Sequence, residues 1–395
     1  MDAVVTRHPQ VLYKMMHDAG PVVRTESADG GTVVVASRAI EEEVLRHPEL
    51  FSSAGNSGQM GTDRPLIPIE IDPPDQRKYR RMIDPLFAPR RMRALEAPIE
   101  KLVNELIDRF GSASEIDFAK QFSLPLPSQV FLTLIGLPLD DLPRLLEMKD
   151  GVLRAHHVLG TDFDDPRCEV LKKEMAGAIY DYFDRALNNR ESERADDILS
   201  GLLEGEVDGR RVTRQELLDI CFILLIGGLD TVSASLDCFF AFLAEHPTHR
   251  RQIVEDPSLI PSAIEELLRY EAPVMMTSRI VTADTKLGEC PIKAGDNLFM
   301  FHGASNTDEE GLPDAGEVKF DRQSCRHFSF GGGVHRCLGS NLARLELRIA
   351  LRVWHSRIPD YRIKPGLELE FTPVIRTTYA FPMVLGASIE HELLP

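Results

Sequence analysis

The amino-acid sequence predicts a mainly α-helical protein with small β-sheets, organised as one domain over residues 1–395. A run of apolar residues without proline extends from residue 213 to about residue 244, and such a run predicts a long helix. A shorter helical pattern follows Cys337. No linker rich in proline, glycine or serine and no internal repeat divides the chain. The sheets are expected near residues 21–37, 280–300 and 366–387.

The bulk properties exclude several classes of partner. A formal charge of −17 argues against binding to nucleic acid and to anionic membrane surfaces. The apolar window over residues 217–244 carries Asp219, Asp230 and Asp237, which predicts a buried helix rather than a membrane span. The first residues contain no apolar anchor. Six scattered cysteines suit a reducing cytoplasm, so we expect a cytoplasmic monomer.

The predicted long helix begins and ends at recognisable signals. Thr213 and Glu216 have the spacing of a capping box, and Pro247 lies just beyond the end. At a rise of ~1.5 Å per residue this helix would cross most of a globular domain.

Two adjacent glycines, Gly227 and Gly228, lie in the middle of this helix. Each costs about 1 kcal/mol relative to alanine in a helix interior. One interpretation is that they allow close packing. The other is a widened turn beside Asp230 and Thr231, an acid and an alcohol that can hold O₂ and water and move protons.

The most informative segment is residues 330–339, which read FGGGVHRCLG. Phe330 precedes three glycines, and Cys337 stands at the start of a helical pattern. Backbone N–H groups and the helix dipole at such a position favour a thiolate and lower the thiol pKa. Glycines allow a loop to pass close under a large flat ligand. The pattern therefore favours a thiolate presented to a metal, for which haem iron is a known acceptor.

The same segment is open to other interpretations. A lone cysteine near a helix start is most often a small buried hydrophobe, and three glycines can form a hairpin turn or a phosphate cradle. A phosphate loop would carry a Lys-Ser/Thr pair, which is missing here. Cys325 and His327 do not provide zinc-finger spacing with Cys337.

Residues 330–339 resemble, position by position, the haem-binding signature of the cytochrome P450 family. Residues 227–232 resemble the oxygen-activation motif of that family, close to the version in camphor-type hydroxylases. The resemblance covers nearly the whole chain, with its motifs in the family's order. It implies the cytochrome P450 fold, a triangular single domain, and haem b (iron protoporphyrin IX) with Cys337 as the iron ligand.

The resemblance also assigns residues to the haem and to catalysis. Asp230 and Thr231 fall at the positions that deliver protons to oxygen. The remaining cofactor-contacting positions are Gly227, Gly228, Phe330, and the propionate partners Gln76, Arg80, Arg279 and His335. Two departures from the family stand out, because Gln76 replaces a common histidine and Thr307 replaces a common arginine.

A structural pair and an apolar chamber complete the assignment. Glu266 and Arg269 match the family's ExxR pair and are expected to clamp residues 320–322, on a helix opened by a capping box at Ser262 and Glu265. Ordinary core packing is the alternative for each chamber residue. The positions that line the substrate chamber in the family are Ile223, Ile226, Val274, Met275, Met276, Val374 and Ile375.

The predicted activity is O₂-dependent hydroxylation of an apolar small molecule, a terpenoid, steroid or fatty-acid-like compound. Two electrons would come from an iron–sulfur ferredoxin and its NAD(P)H-dependent reductase, steered by basic residues on the cysteine side of the haem. Those residues are Arg80, Arg81, Arg90, Arg91, Arg93, Arg336, Arg344 and Arg348. The alternatives are a peroxygenase that uses hydrogen peroxide and a haem sensor without turnover.

Overall fold

The computed structural model describes residues 6–27, 30–54 and 60–386. Helices dominate them, as predicted. The α-helices are α1 (Gln10–Ala19), α2 (Arg38–Arg46), α3 (Asp75–Ile83), α4 (Pro89–Arg93), α5 (Glu96–Asp108), α6 (Pro125–Ile135), α7 (Leu142–Leu153), α8 (Ala155–Leu159), α9 (Pro166–Ser192), α10 (Ile198–Leu203), α11 (Arg214–Glu245), α12 (Pro247–Glu255), α13 (Ile260–Glu271), α14 (His302–Asn306) and α15 (Ser340–Arg357).

Twelve short strands in the described residues form the sheets. They are β1 (Val22–Ser27), β2 (Gly30–Val35), β3 (Phe51–Ser52), β4 (Glu115–Asp117), β5 (Glu206–Val207), β6 (Arg210–Arg211), β7 (Met276–Val281), β8 (Thr285–Leu287), β9 (Cys290–Ile292), β10 (Asn297–Phe301), β11 (Tyr361–Ile363) and β12 (Pro382–Leu385). The predicted segments 21–37 and 280–300 contribute to one sheet of order β1-β2-β10-β7-β3. Only β12 forms in the third segment, where it lies between β11 and β4.

The long helix α11 confirms the predicted capping box. The Thr213 hydroxyl accepts the Glu216 N–H, and the Glu216 carboxylate accepts the Thr213 N–H. Among the described helices, α11 is the one long and apolar enough to cross a membrane by length and composition, but 67% of its most apolar window is buried. The core helix of a soluble protein has the same properties.

The main core surrounds α11 and the cysteine-side helix α15. Trp354 on α15 is fully buried and contacts the rings of Phe118, Phe122 and Phe240, with centroids 4.8–5.2 Å apart. Edge-on aromatic packing of this kind adds ~0.5–1.5 kcal/mol per pair beyond the burial of area. Helix α15 also packs on α5 and α13, so the element that follows Cys337 is held on several sides.

Candidate active site

The cysteine loop is closed by one backbone hydrogen bond across its ends. The Cys337 N–H donates to the Phe330 carbonyl oxygen at 2.8 Å. A short 3₁₀ turn over Gly333–His335 lies between them, and α15 begins three residues after the cysteine, at Ser340. The Arg344 guanidinium covers the Phe330 ring at 4.4 Å from its centroid. The loop is therefore a fixed cradle with the sulfur near a helix start.

The glycines of this loop are required by backbone shape and by a neighbouring helix. Gly331 and Gly333 have φ values of 60° and 58°, in the left-handed region, which side chains other than glycine disfavour. A Cβ on Gly333 would lie 2.3 Å from the Leu45 carbonyl oxygen, and one on Gly332 would lie 2.8 Å from the Leu45 side chain. These two glycines thus allow close approach to α2, which the sequence did not indicate.

The Cys337 thiol does not have the lowered pKa that its position suggested. Its side chain is exposed, yet desolvation by surrounding protein raises the thiol pKa and outweighs the opposing Gly339 N–H and the nearby arginines. Exposure together with desolvation means that the sulfur faces an open space inside the fold. A metal ion removes the proton from a thiol that coordinates it, so the position still suits a metal ligand.

Gln76 and Arg80 on α3 hold the backbone of the cysteine loop. Gln76 Nε2 donates to the Val334 carbonyl oxygen at 2.7 Å, and Arg80 Nη1 donates to the Arg336 carbonyl oxygen at 2.8 Å. The helix that carries both residues begins at Asp75. The amide donor of Gln76 is therefore used within the protein, while its charge-free carbonyl oxygen remains buried.

Polar groups with unused capacity for hydrogen bonds or ion pairs lie beside the loop. Gln76 Oε1 and His335 Nε2 are buried without a hydrogen bond in the described part of the chain. Arg279 on β7 has no ion pair there, and burial lowers the pKa of its guanidinium. Burial and the adjacent Arg279 also lower the pKa of His335, to about 4. Buried polar groups normally have partners, and Arg279 and the His335 ring can donate hydrogen bonds to an anionic ligand.

Glu266 and Arg269 form the predicted buried clamp. Arg269 donates two hydrogen bonds to Glu266, at 2.7 and 2.8 Å, and both side chains are fully buried. Arg322 Nε contacts both Glu266 oxygens at 3.1 Å. The capping box predicted for this helix is wrong, because α13 starts at Ile260 and the Glu265 carboxylate binds Arg344 instead.

The two glycines of α11 have different surroundings. A Cβ on Gly228 would lie 2.3 Å from the Phe131 ring, whereas a Cβ on Gly227 would meet no described atom within 4 Å. Gly228 therefore permits close packing, and Gly227 faces open space in mid-helix. The helix stays α-helical through both residues, and the Thr231 hydroxyl donates to the Gly227 carbonyl oxygen at 2.9 Å.

Asp230 is buried and bound to two cations that the sequence analysis missed. Lys149 Nζ lies 2.8 Å from Asp230 Oδ1, and Arg154 binds Oδ2. Burial alone would raise the pKa of Asp230, but these cations outweigh burial and hold that pKa below its ordinary value. Lys149 and Arg154 also contact Asp150. Lys149 lies on α7 and Arg154 directly follows that helix. Both precede Asp230 by more than seventy residues, a separation that leaves no local signal.

Comparison with known proteins identifies the family. A family model described as Cytochrome P450 matches residues 4–353 of the chain. The chain belongs to the cytochrome P450 family. The resemblance noted from the sequence is thereby confirmed, and the chain is a cytochrome P450 monooxygenase.

Individual cytochromes P450 are similar over most of the chain. A steroid C26-monooxygenase of Mycobacterium tuberculosis is 30% identical over 362 residues, covering 91% of this chain and 88% of its own. The mycinamicin IV hydroxylase/epoxidase of Micromonospora griseorubida is 32% identical over 298 residues, covering 75% and 73%. The structure of CYP109E1 from Bacillus megaterium with corticosterone is 28% identical, with a TM-score of 0.84 and coverage of 96% and 98%.

Haem, bound through a cysteine thiolate, is the cofactor of cytochromes P450. The residues of this chain fit such a group. Cys337 faces an internal space, and Gly227 leaves room beside α11. Acidic substituents could bind Arg279, which has no ion pair among the described residues, and the His335 ring, whose Nε2 has no hydrogen bond there.

The predicted chamber residues come together only in part. Val274 and Ile375 form an antiparallel bridge, and the Met275 N–H donates to the Val374 carbonyl oxygen at 2.7 Å. Val374 is 38% exposed. On α11, Ile226 is buried in the main core, and Ile223 is partly buried against that core.

The prediction that Met275 lines the chamber is wrong. Met275 is 1% exposed and belongs to a separate core cluster with Tyr13 and Phe301. Met276 is partly buried against the same cluster, so its position also favours packing between α1 and β7. The sequence did not reveal this because α1 lies far from these methionines along the chain.

The arginines assigned to the cysteine side, here called the arginine surface, are only partly free of carboxylates. Ion pairs neutralise four of them, namely Arg80 with Asp84, Arg91 with Asp196, Arg344 with Glu265 and Arg348 with Glu96. Within the described ranges no ion pair involves the other four, Arg81, Arg90, Arg93 and Arg336. The basic character of the surface is thus smaller than the count of arginines suggests.

Proposed function

We propose that the protein hydroxylates an apolar small molecule, with Cys337 as the haem ligand and with electrons from an iron–sulfur ferredoxin. The observation that carries the proposal is the closed cysteine loop next to unpartnered polar groups. Cys337 donates its N–H to Phe330, and Gln76 Oε1 and His335 Nε2 lie buried without partners in the described chain. Bound haem supplies the redox chemistry that activates O₂.

Arg279, Arg80 and His335 would hold the haem propionates. Arg279 is the strongest candidate because its partly buried guanidinium forms no ion pair among the described residues. Its Nη1 donates to the Ser278 carbonyl oxygen, a neutral partner that leaves the charge uncompensated. Arg80 already divides its guanidinium between Asp84 and the Arg336 carbonyl oxygen. Gln76 would support the loop through Val334 and leave Oε1 for a water or a protonated acid.

Asp230 and Thr231, adjacent residues of α11, would deliver protons together. Asp230 is closed off by Lys149 and Arg154, so it must release at least one of them before it can exchange a proton with water. The Thr231 hydroxyl donates to Gly227, which leaves its oxygen lone pairs available to accept a proton-donating partner. Asp230 and Thr231 would therefore transfer protons only when α7 and the turn after it move away from Asp230.

The substrate would be an apolar compound of the terpenoid, steroid or fatty-acid type. Val274, Val374 and Ile375 are partly or largely exposed apolar residues on two joined segments, and such residues line sites for apolar ligands. The names of two similar proteins mention steroids, which favours a steroid within this group. The protein would act in the cytoplasm.

The electron donor would be an acidic ferredoxin that approaches the arginine surface. Four of its arginines have no ion-pair partner in the described chain, which leaves a local positive charge on an acidic protein. Charge of this kind raises association rates and makes them sensitive to salt. The double variant Arg90→Gln/Arg93→Gln should lower the rate of reduction ~10-fold at low salt and have little effect at high salt. The control Arg362→Gln, on exposed β11, should leave the rate unchanged.

The proton relay is tested by the coupling of electron use to product. The assay uses full-length holoenzyme, ferredoxin, its reductase, NADPH, O₂ and testosterone as the probe. Thr231→Ala should raise the electrons consumed per product at least ~10-fold. Thr133→Ala is the matched control, because the Thr133 hydroxyl makes the same bond to the carbonyl four residues earlier, on α6. Full coupling in Thr231→Ala would overturn the relay.

The haem assignment has its own test. Cys337→Ala should abolish the red-shifted carbon monoxide band that thiolate ligation gives reduced haem, and survival of that band would overturn the assignment. Turnover with hydrogen peroxide alone at the rate measured with ferredoxin, its reductase, NADPH and O₂ would instead indicate a peroxygenase. Bound haem without product under either condition would indicate a sensor.

A further inference from the structure

Asp237 is a buried acid of α11 that the proposed mechanism does not use. It lies two turns after Asp230 and is 1% exposed. Its Oδ1 accepts a hydrogen bond from the Ser123 hydroxyl, in the turn before α6. Its Oδ2 accepts from the Thr378 N–H at 2.9 Å and from the Thr378 hydroxyl at 3.2 Å. One carboxyl group thus joins three segments that are far apart in the chain.

Burial at the site of Asp237 carries a large desolvation penalty for a carboxyl group, which packing alone does not explain. No cation of the described chain lies within ion-pair distance of it, and burial raises the pKa of Asp237 to about 7, with Asp230 adding to the effect. A neutral polar side chain could bridge Ser123 and Thr378 with a smaller desolvation penalty. The carboxyl group instead accepts three hydrogen bonds at once, which holds Ser123 and Thr378 at fixed positions on either side of it.

The partner Thr378 belongs to a segment that is held residue by residue. The Cys238 thiol lies 3.5 Å from the Arg376 carbonyl oxygen, and Arg154 donates to the Thr377 hydroxyl oxygen at 3.1 Å. With Asp237 on Thr378, each of three consecutive residues is contacted by α11 itself or by the Arg154 that binds Asp230. Residues 376–378 therefore have little freedom to move away from the long helix.

The chain just before this anchored segment is strained. Val374 has a φ of 68°, a left-handed conformation that β-branched residues strongly disfavour. The Ile375 N–H donates to the Pro373 carbonyl oxygen at 2.8 Å, which closes a γ-turn, a rare and strained form at positive φ. Strained residues persist only where surrounding structure fixes them. This turn exposes Val374 in part, directly before Ile375, which forms the bridge to Val274.

We propose that Asp237 is a positioning residue that fixes the γ-turn around Val374 and thereby determines which carbon of the substrate is presented for oxidation. The inference rests on the proposed function, because it takes Val374 and Ile375 as substrate-facing. Asp237 touches neither substrate nor haem in this account. It acts through Thr378, whose bridge to Phe371 closes the far side of the segment.

The first test measures the segment directly by hydrogen–deuterium exchange in full-length holoenzyme. Asp237→Ala should speed exchange of the amides of residues 375–378 at least ~10-fold, since it removes two hydrogen bonds. Asp237→Asn keeps an acceptor for the Thr378 N–H and should restore slow exchange. Ser123→Ala removes only the bond on the opposite side and should leave this segment unchanged. Unchanged exchange in Asp237→Ala would overturn the anchoring role.

The second test measures products and binding with testosterone. Asp237→Ala should change the ratio of hydroxylated products several-fold and weaken the spectrally measured affinity, while the carbon monoxide band stays normal. Thr378→Ala removes the hydrogen bond from the Thr378 hydroxyl and keeps the one from its N–H, and it should shift the product ratio in the same direction. This second variant provides the test if Asp237→Ala folds poorly. A wild-type product ratio in both variants would overturn the proposal. Failure of the proposed function would appear differently, as a wild type without the thiolate band.

Discussion

Arg269 and Glu266 form a fully buried, doubly hydrogen-bonded ion pair whose remaining donors bind the backbone. Arg269 Nη1 donates to the carbonyl oxygens of Asn306 and Ala315, at 3.0 and 2.6 Å, and Nη2 donates to that of Glu317 at 2.8 Å. A pair of side chains on α13 therefore fixes the loop that leads to the cysteine segment.

Removal of Arg269 should be severely destabilising. Arg269→Ala removes two hydrogen bonds from Glu266, which keeps its contact with Arg322, and takes a donor from the buried carbonyl oxygens of Asn306 and Ala315. Breaking a buried pair costs ~3–5 kcal/mol. Urea unfolding of the holoprotein and its haem content measure the effect. Arg352→Ala is the control, because its pair with Glu100 is about 40% exposed on both sides and is worth at most ~1 kcal/mol. Similar losses in both variants would contradict the clamp.

Arg279 is expected to contribute more to haem affinity than to the unfolding free energy of the protein. Arg279→Gln removes a buried charge that has no ion pair in the described residues, so the unfolding free energy of the haem-free protein should not fall. Haem transfer to apomyoglobin should become at least ~10-fold faster, since a charge-assisted bond is lost. Arg24→Gln, on β1 of the same sheet and paired with Asp296, should leave the transfer rate unchanged. Equal rates for Arg279→Gln and wild type would contradict the assignment.

The two glycines of α11 should respond to alanine in opposite ways. Gly228→Ala pushes a methyl group into the buried Phe131 ring, and overpacking of this kind costs ~1–3 kcal/mol. Gly227→Ala meets no described atom and should stabilise the haem-free protein by about 1 kcal/mol through helix propensity. Chemical unfolding of the two haem-free variants measures both effects. Destabilisation by Gly227→Ala in the haem-free state would show that the space beside it is not open.

The stability of the protein should fall as pH falls from about 6.5 to 4 through His355. Burial lowers the pKa of His355 to about 4, whereas the unfolded chain protonates this ring near 6.5. The folded state then binds fewer protons across this window, and the loss approaches ~3 kcal/mol at its lower end. His355→Gln should flatten the curve of unfolding free energy against pH in that window. An unchanged slope would contradict the neutral buried state.

Sequence patterns predicted the features that depend on neighbours in the chain. The capping box at Thr213, the i,i+3 pair of Glu266 and Arg269, and the cysteine loop all follow from short spacings, and the structure contains each of them. The exception is the capping box predicted at Ser262. There the same spacing occurs inside a helix that had already begun, and Glu265 found a stronger partner in Arg344.

Features that depend on distant segments could not be predicted. Lys149 and Arg154 meet Asp230 from α7 and the turn after it, and Asp237 meets Thr378 from a loop 141 residues away. Nothing in the local sequence marks these residues as partners. The error at Met275 has the same origin, because its burial depends on Tyr13 near the other end of the chain.

Arg376 has a consequence for protein engineering. Its guanidinium is fully buried, pairs with Glu271, and donates to the carbonyl oxygens of Thr6 and Arg7, 370 residues earlier for the first of them. The backbone just before α1 is thus hydrogen-bonded to the segment that carries Val374. Removing residues 6 and 7, or fusing a tag directly next to them, should therefore disturb the segment around Val374 and change which product is formed. Expression variants should be compared by their product profile as well as by yield.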